Sequence, residues 1–331
     1  MPVDVLLVSL GTTGGWRAAA SGLAVAIEGV GASAAIAATE PVPEVRTFAL
    51  TDYVQARAAR RACLRGIAEH APTAVVYCSM TAALLWPRPG AVWIDSIAAE
   101  NRPGRHGVWQ RIVEQRRLRQ APLVLAMSER SLPLLERRAA DAVVVASAVE
   151  PSAPAEPDRR RDIAAITYAG DPVKKRLDVI LDAWGRARRS GETLIVAGID
   201  SLPAMNLNGV QLAGRLPPVE YRALLRRARV FVAAPRREDY GIAPLEALAD
   251  GCVLVCAPAP GPYPALALAR TLDERLVSDD LVSAIRIALD DPVDGYSRRA
   301  AELMAPYRRG ALERTLERVV LPRLVPGWSP R

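Results

Sequence analysis

The stretch RVFVAAPRREDYGIAPLEALADGCVLVCA, residues 229–257, reads as strand, loop, helix and strand. RVFVAA (229–234) is a short apolar run rich in valine, ended by Pro235. A loop carrying Glu238 follows, and a helix begins near Ile242. Pro244 falls in its first turn, where a missing N–H has no helical partner to lose. Gly251 closes the helix as a C-terminal cap, and CVLVCA (252–257) is a second apolar strand. Two apolar strands joined through a helix form a crossover unit, which belongs to a parallel sheet.

The same alternation extends outward. Upstream lie the strand IAAITYAG (163–170), the helix LDVILDAWGRARRS (177–190), the strand TLIVAG (193–198) and the helix YRALLRRA (221–228). An earlier series holds VDVLLVSL (3–10), ASAAIAA (32–38), TAVVYCSM (73–80), AVWIDSI (91–97), PLVLAMS (122–128) and AVVVAS (142–147). Continuous apolar runs, instead of alternating ones, predict parallel strands covered on both faces. Between the two series EPSAPAEPDRRRD (150–162) breaks the pattern with prolines and charges. The expectation is two doubly wound α/β domains, 1–150 and 163–308, joined by a linker at 151–162. Residues 309–331, with ALERTLERVVLPRL (311–324), follow as a long amphipathic helix. Ligands of such sheets collect outside the carboxyl ends of the strands and in the cleft between domains.

Composition narrows the classes. The chain has 331 residues, half of them hydrophobic and 24% charged, as in folded globular proteins. It holds no apolar run long enough for a membrane span. The N-terminus MPVDVLLVSL has no basic segment before its apolar run and reads as a strand, not as a secretion signal. Cys63, Cys78, Cys252 and Cys256 fit no zinc spacing and read as reduced cytoplasmic thiols with no metal. The formal net charge of +7 attracts anions. A nucleic-acid binder would show clustered basic residues, stacking aromatics or a known motif, and this chain has two phenylalanines and no such motif.

Of the 43 basic residues two are lysines, the adjacent Lys174 and Lys175 in GDPVKKRLD (170–178), and the rest are arginines. The pair follows a strand and precedes a helix. It is no Walker A loop, because no glycine directly precedes it and Arg176 follows in place of Ser or Thr. In 235–251, Glu238 sits on the loop and Glu246 inside the helix, so the two carboxylates reach different depths of one site. The helix N-terminus between them turns backbone N–H groups toward an anion. Taken singly, Glu238 reads as a surface loop residue and Glu246 as the solvated flank of a helix.

EDYGIAPLEALADG (238–251) resembles the E-x(7)-E signature of glycosyltransferase family 4, retaining enzymes of GT-B fold. YAGDPVKKRLDVILDAW (168–184) is similar to the family segment that carries a phosphate-binding basic residue. LIVAG (194–198) resembles the next strand, and VQLAGRLPPVEYRALLRRARVFVAAP (210–235) resembles the run into the signature. The resemblance covers about 163–257 and is looser over 1–150. It implies an α/β protein of GT-B fold, whose two Rossmann-like domains, the first acceptor-binding and the second nucleotide-sugar-binding, face a central cleft. The C-terminal helix would cross back to the first domain. The implied reaction moves a hexose, with retention and without metal or cofactor, from a nucleotide-diphosphate sugar such as GDP-mannose or a UDP-hexose. The acceptor is a hydroxyl of a glycan, a lipid-linked molecule or a small molecule, as in cell-envelope polysaccharide synthesis.

The resemblance also assigns positions. Lys175 would bind the donor diphosphate, Glu246 the ribose hydroxyls and Glu238 the donor sugar, while Gly241, Ile242 and Ala243 would offer backbone. Gly170, Tyr240 and Leu245 complete the donor-side set. The compact ammonium of Lys175 can follow charge onto a leaving oxygen. One departure is Asp171, where many members carry an arginine that is a second diphosphate ligand; Lys174, Arg215 or Arg236 would stand in for it. Gly14 and Gly15, in GTTGG (11–15), lie where a glycine-rich loop can approach the donor, though a tight turn explains them equally. Where relatives place a histidine this chain has Asp95, a catalytic candidate that orients acceptor or sugar, or else an N-cap of the next helix.

ENRPGRHGVWQR (100–111), with His106, reads as an acceptor clamp or as a mobile loop. VWQRIVEQRRLRQ (108–120) reads first as a domain helix turning Trp109, Ile112, Val113 and Leu118 inward. The alternative is a helix resting on an anionic membrane, which would make a cytoplasmic enzyme peripheral on the inner face. Three other functions stay open: an epimerase or phosphorylase of the same fold, a degenerate member that binds nucleotide without turnover, and a basic nucleic-acid-binding protein.

Overall fold

The computed structural model describes residues 2–11, 14–40, 42, 45, 47–154, 161–201 and 208–329. Thr12 and Thr13 of the GTTGG turn and residues 155–160 of the expected linker lie outside the described residues. By internal contacts the chain divides into two units, Met1–Ala148 with Pro306–Arg331, and Val149–Ala305.

The first unit is built on a six-stranded parallel sheet: β1 (Val5–Ser9), β2 (Ala34–Ala38), β3 (Ala74–Tyr77), β4 (Ala91–Ile94), β5 (Val124–Ala126) and β6 (Ala142–Val144). Their spatial order is β2-β1-β3-β4-β5-β6. The central strands form from apolar runs because both faces are covered: Leu6, Leu7, Val8, Val92 and Trp93 are all fully buried. Trp93 satisfies its only polar group by donating Nε1–H to the Val145 carbonyl at 2.7 Å. Helices α1 (Gly14–Gly29), α2 (Phe48–His70) and α3 (Val108–Gln120) lie among these strands in the chain. The C-terminal run Arg309–Leu324 is helical throughout, with a π-helical turn at Leu316–Val320, and packs against α1.

Helix α3 departs from the expected inward stripe. Its buried residues are Gln110, Glu114 and Leu118, whereas Ile112 is 65% exposed. The cause is a polar network. The Glu114 carboxylate accepts the Ala98 N–H at 2.8 and 2.9 Å, and Gln110 Nε2 donates to buried Asp52 of α2. Arg102 adds a second contact to Asp52 at 3.3 Å. With the Glu114 carboxylate and the Gln110 amide nitrogen engaged inside, Ile112 turns outward while Leu118 stays buried. The loop 100–111 is pinned by the same contacts and by Arg111, which donates to the carbonyls of Arg102 and Gly104.

The second unit has a five-stranded parallel sheet of order β11-β10-β7-β8-β9. Its strands are β7 (Ile163–Tyr168), β8 (Leu194–Ala197), β9 (Val210–Gly214), β10 (Ala228–Ala233) and β11 (Val253–Cys256). Ile166, Val196, Val230, Leu254 and Trp184 of α4 (Leu177–Ala187) form its core. The chain leaves β7 toward β8 and β9 on one side, then returns to add β10 and β11 on the other. That reversal puts a topological switch point between β7 and β10, which pair directly. Helices α5 (Pro218–Arg227) and α6 (Ile242–Ala249) flank β10 in the sequence.

The four cysteines are buried free thiols, and burial pushes three of them, Cys78, Cys252 and Cys256, up to about 12. Among the described residues no helix is long and apolar enough to cross a membrane.

Candidate active site

The switch point of the second unit brings together Lys175, Glu238 and Ala243 of the expected positions. A small, open pocket is lined by Thr167 and Tyr168 from the end of β7 and by Val232 and Ala233 from the end of β10. Lys175, Glu238, Ala243 and Pro244 complete its wall. It opens where the strand termini diverge, the position at which doubly wound sheets take ligands.

Local turns aim the two charged groups. After β7 the chain passes Gly170, whose hydrogen in place of a Cβ leaves room for Tyr168; a Cβ there would stand 2.7 Å from Tyr168 Oη. Asp171 then organises the loop. Its carboxylate accepts the Lys174 N–H at 3.0 Å and its carbonyl the Lys175 N–H at 3.0 Å. Arg176 takes a left-handed conformation, φ 49°, uncommon outside glycine, and redirects the chain into α4. Arg236 fastens the other side, donating to the carbonyls of Lys174 and Val173 at 2.9 and 3.1 Å. Lys175 is thereby held against Glu238, and their side chains form a half-buried ion pair.

Glu238 comes from the loop after β10, and α6 begins four residues later. Gly241, the N-cap, has φ 79°, and a Cβ there would meet Tyr263 Cε2 at 2.6 Å, so glycine is required twice over. The N–H groups of Ile242 and Ala243 belong to the first helical turn, which has no partner within the helix. One turn further in, Glu246 is 22% exposed and meets Arg222 of α5 at 3.5 Å. Burial pushes the Glu246 carboxyl up to about 7; Arg222 pulls it down and Asp250 pushes it up. Arg222 itself donates Nε–H to Asp250 at 2.6 Å and Nη2–H to the Glu150 carbonyl at 2.7 Å. Asp250 in turn accepts the N–H and hydroxyl of Ser152, each at 2.8 Å.

Other expected positions fall elsewhere. Leu245 is fully buried and its N–H bonds to the Gly241 carbonyl at 3.3 Å, so it is a core residue and offers a ligand nothing. Tyr240 is buried beside the loop. Lys174 is exposed and pairs with Asp171 at 3.3 Å. Arg215 is exposed and pairs with Asp200 at 3.6 Å. Gly14, Gly15 and Asp95 belong to the first unit. The two glycines are the first residues of α1 and not its preceding turn. Asp95 follows β4, with its carbonyl accepting the Ser131 hydroxyl at 3.2 Å. It does not cap the helical turn Ala98–Asn101, whose N-cap is Ile97. Arg222 was not among the expected positions: its role depends on α5 lying beside α6, and no spacing in the sequence reports that. Among the described residues no group of His, Cys, Asp and Glu is placed to hold a metal ion.

Residues 160–291 match the family model described as glycosyl transferases group 1. No curated protein matches the chain. Among solved structures it is similar to a sucrose-phosphate synthase from Thermosynechococcus elongatus, with TM-score 0.66 and 14% identity over 96% of this chain and 97% of that one. Anabaena HepE in complex with UDP and glucose gives TM-score 0.64 and 13% identity, covering 95% and 98%. WaaG, a glycosyltransferase involved in lipopolysaccharide biosynthesis, gives 0.61 and 11%, covering 98% and 100%. At these identities the likeness is one of fold, the two-domain GT-B architecture.

Proposed function

We propose that this protein, a glycosyltransferase of GT-B fold with a group 1 domain over residues 160–291, moves a hexose from a nucleotide-diphosphate sugar to a hydroxyl acceptor with retention and without a metal. The observation that carries the reading is Lys175 paired with Glu238 at the first turn of α6, in the switch-point pocket. The donor diphosphate would lie on the Ile242 and Ala243 N–H groups and take the Lys175 ammonium. Glu246 would accept the ribose hydroxyls and Glu238 the hydroxyls of the sugar.

In the reaction the bond between the anomeric carbon and the diphosphate oxygen breaks, and the electron pair leaves with the diphosphate. Lys175 and the helix end stabilise that charge. The acceptor hydroxyl attacks the face the diphosphate leaves and gives its proton to the departing phosphate oxygen. Atoms and charge balance with no further reactant. The HepE structure with UDP and glucose supports a UDP-hexose as first donor to try, with GDP-mannose as second. The acceptor is a glycan, lipid-linked or small-molecule hydroxyl, and the place of work is the cytoplasm or the inner face of a membrane.

Thermal shift and calorimetry with UDP, GDP and other nucleoside diphosphates test the reading. At least one should stabilise the protein, and Lys175→Ala should abolish the effect. Slow hydrolysis of the matching nucleotide sugar, lost in Glu238→Ala, separates an enzyme from a degenerate binder. One contact favours that second reading: Asp171 engages the very lysine, Lys174, that would replace the missing arginine. Stabilisation by DNA and by no nucleotide sinks both.

A further inference from the structure

Glu114 of α3 is 3% exposed and holds the backbone of another element. Both of its oxygens accept one N–H, that of Ala98, the first residue of the helical turn Ala98–Asn101. Ile97, the N-cap of that turn, makes no side-chain cap, so the carboxylate fills the place a capping side chain would take. Glu100 and Asn101 close the turn by donating to the Ile97 carbonyl at 3.0 and 3.2 Å. Ser96, Ile97 and Ala98 are buried, and Asp95, the polar candidate of the first unit, stands three residues before the held N–H.

One turn before Glu114, on the same face of α3, lies Gln110, also buried. Its Nε2 is spent on Asp52, and its Oε1 is buried with no hydrogen-bond partner among the described residues. A buried oxygen without a donor is costly. A neutral Glu114 carboxyl has an O–H to give, whereas the ionised one has none. Burial lifts that carboxyl to about 7, against the Ala98 N–H and the charges of Arg138 and Arg102, which favour ionisation. Asp52 of α2 is joined to the cluster through Gln110. Glu100 and Arg105, on the turns 98–101 and 105–107 that pack against α3, are exposed, and the turn Met80–Ala83 has no titratable side chain.

We propose that Glu114 is a positioning residue that works as a proton-operated clasp on the segment 95–98. Ionised, it grips the Ala98 N–H with both oxygens. On taking a proton from solvent it donates the new O–H to Gln110 Oε1, keeps one oxygen for Ala98, and holds the segment by a weaker, neutral bond. The clasp tightens as pH rises although ionisation lowers overall stability, because stripping the donor from a buried carboxylate costs more than stripping it from a neutral carboxyl. In the proposed transfer reaction the tightened state fixes Asp95 for orienting acceptor or sugar; this consequence alone rests on that reading.

The test is hydrogen exchange of the Ala98 amide in the full chain from pH 5.5 to 8.5, divided by the intrinsic rate at each pH. Protection in the wild type should rise about tenfold, the difference between a neutral and a charged acceptor, with its midpoint at about 7. Glu114→Gln keeps an acceptor for Ala98 and a donor for Gln110 but cannot ionise, so it should hold the acid wild-type value throughout. The infrared difference between pH 6 and 8 should contain a carboxyl band that Glu114→Gln lacks. Gln110→Met should move that band to the position of a carboxyl that donates no hydrogen bond. Turnover of a nucleotide sugar by the wild type relative to Glu114→Gln, a ratio that cancels the titration of Glu246, should rise by a similar factor over the same range. Nucleoside diphosphates should bind both proteins equally at every pH. Absent nucleotide binding therefore counts against the transferase reading, while exchange decides the clasp. Protection that ignores pH in the wild type, a rise that survives in Glu114→Gln, or a band unmoved by Gln110→Met would overturn the proposal. So would a turnover ratio constant with pH.

Discussion

Arg222 Nη1 stands 3.5 Å from a Glu246 oxygen while its Nε donates to Asp250 at 2.6 Å, so one guanidinium serves two carboxylates on the same helix. Without it, Glu246 and Asp250 repel with no cation between them. Arg222→Gln should therefore raise the Glu246 carboxyl further and move nucleotide binding to higher pH, with Arg222→Lys restoring part of the shift. Nucleotide affinity measured from pH 6 to 9 reads this directly; a loss equal at every pH would mean a purely structural role. The change should also cost about 3 kcal/mol of stability, as expected for breaking a mostly buried pair.

Stability should fall as pH rises toward neutrality. Burial lifts the carboxyls of Glu246 and Glu114 from 4.5 to about 7 in the folded state. The native protein thus binds more protons than the unfolded chain between those values, and their contribution is full below about 4.5 and lost on passing 7. Each group is worth on the order of 3 kcal/mol. Glu246→Gln and Glu114→Gln should each flatten the fall, and together remove most of it, in melting temperatures taken from pH 4.5 to 7.5.

Glu238→Gln should separate binding from transfer. With the carboxylate gone, Lys175 has no internal counter-charge, and a free nucleoside diphosphate should bind several-fold more tightly. Turnover of the nucleotide sugar should fall at least tenfold, since Glu238 would no longer order the sugar hydroxyls. Calorimetry with the diphosphate and a hydrolysis assay with the sugar nucleotide check the two halves; parallel losses in both would contradict the assignment.

Gly241→Ala should be disruptive for a position with no side chain. It strains φ at 79° and drives a Cβ to 2.6 Å from Tyr263 and 3.1 Å from Glu238 Cγ. A loss of about 1–3 kcal/mol in denaturant titration is expected, together with weaker nucleotide binding because Glu238 is displaced.

The strands could be read because RVFVAA, VLLVS and their counterparts are buried on both faces and need no alternation to announce themselves. At the sheet edge that signal fades: VQLAG, β9, is only partly buried and carries Gln211 among its apolar residues. Helix α3 misled for a physical reason. Its polar Gln110 and Glu114 point inward because Asp52 and the Ala98 N–H wait there, and periodicity knows nothing of partners on other elements. In the site, Glu238, Lys175 and Glu246 were legible through motif spacing. The pairing of Lys175 with Glu238, 63 residues apart, and the service of Arg222 to Glu246 were not, because both depend on which elements the sheet brings side by side.

The Lys175–Glu238 pair makes ligand entry an exchange and not an addition. A bare diphosphate that takes the ammonium strands a carboxylate; a bare sugar that takes the carboxylate must first pull it from the ammonium. A molecule bearing both parts satisfies both groups at once. On the proposed assignment the site would thereby discriminate the joined nucleotide sugar from its two fragments, a coincidence filter made from one lysine and one glutamate.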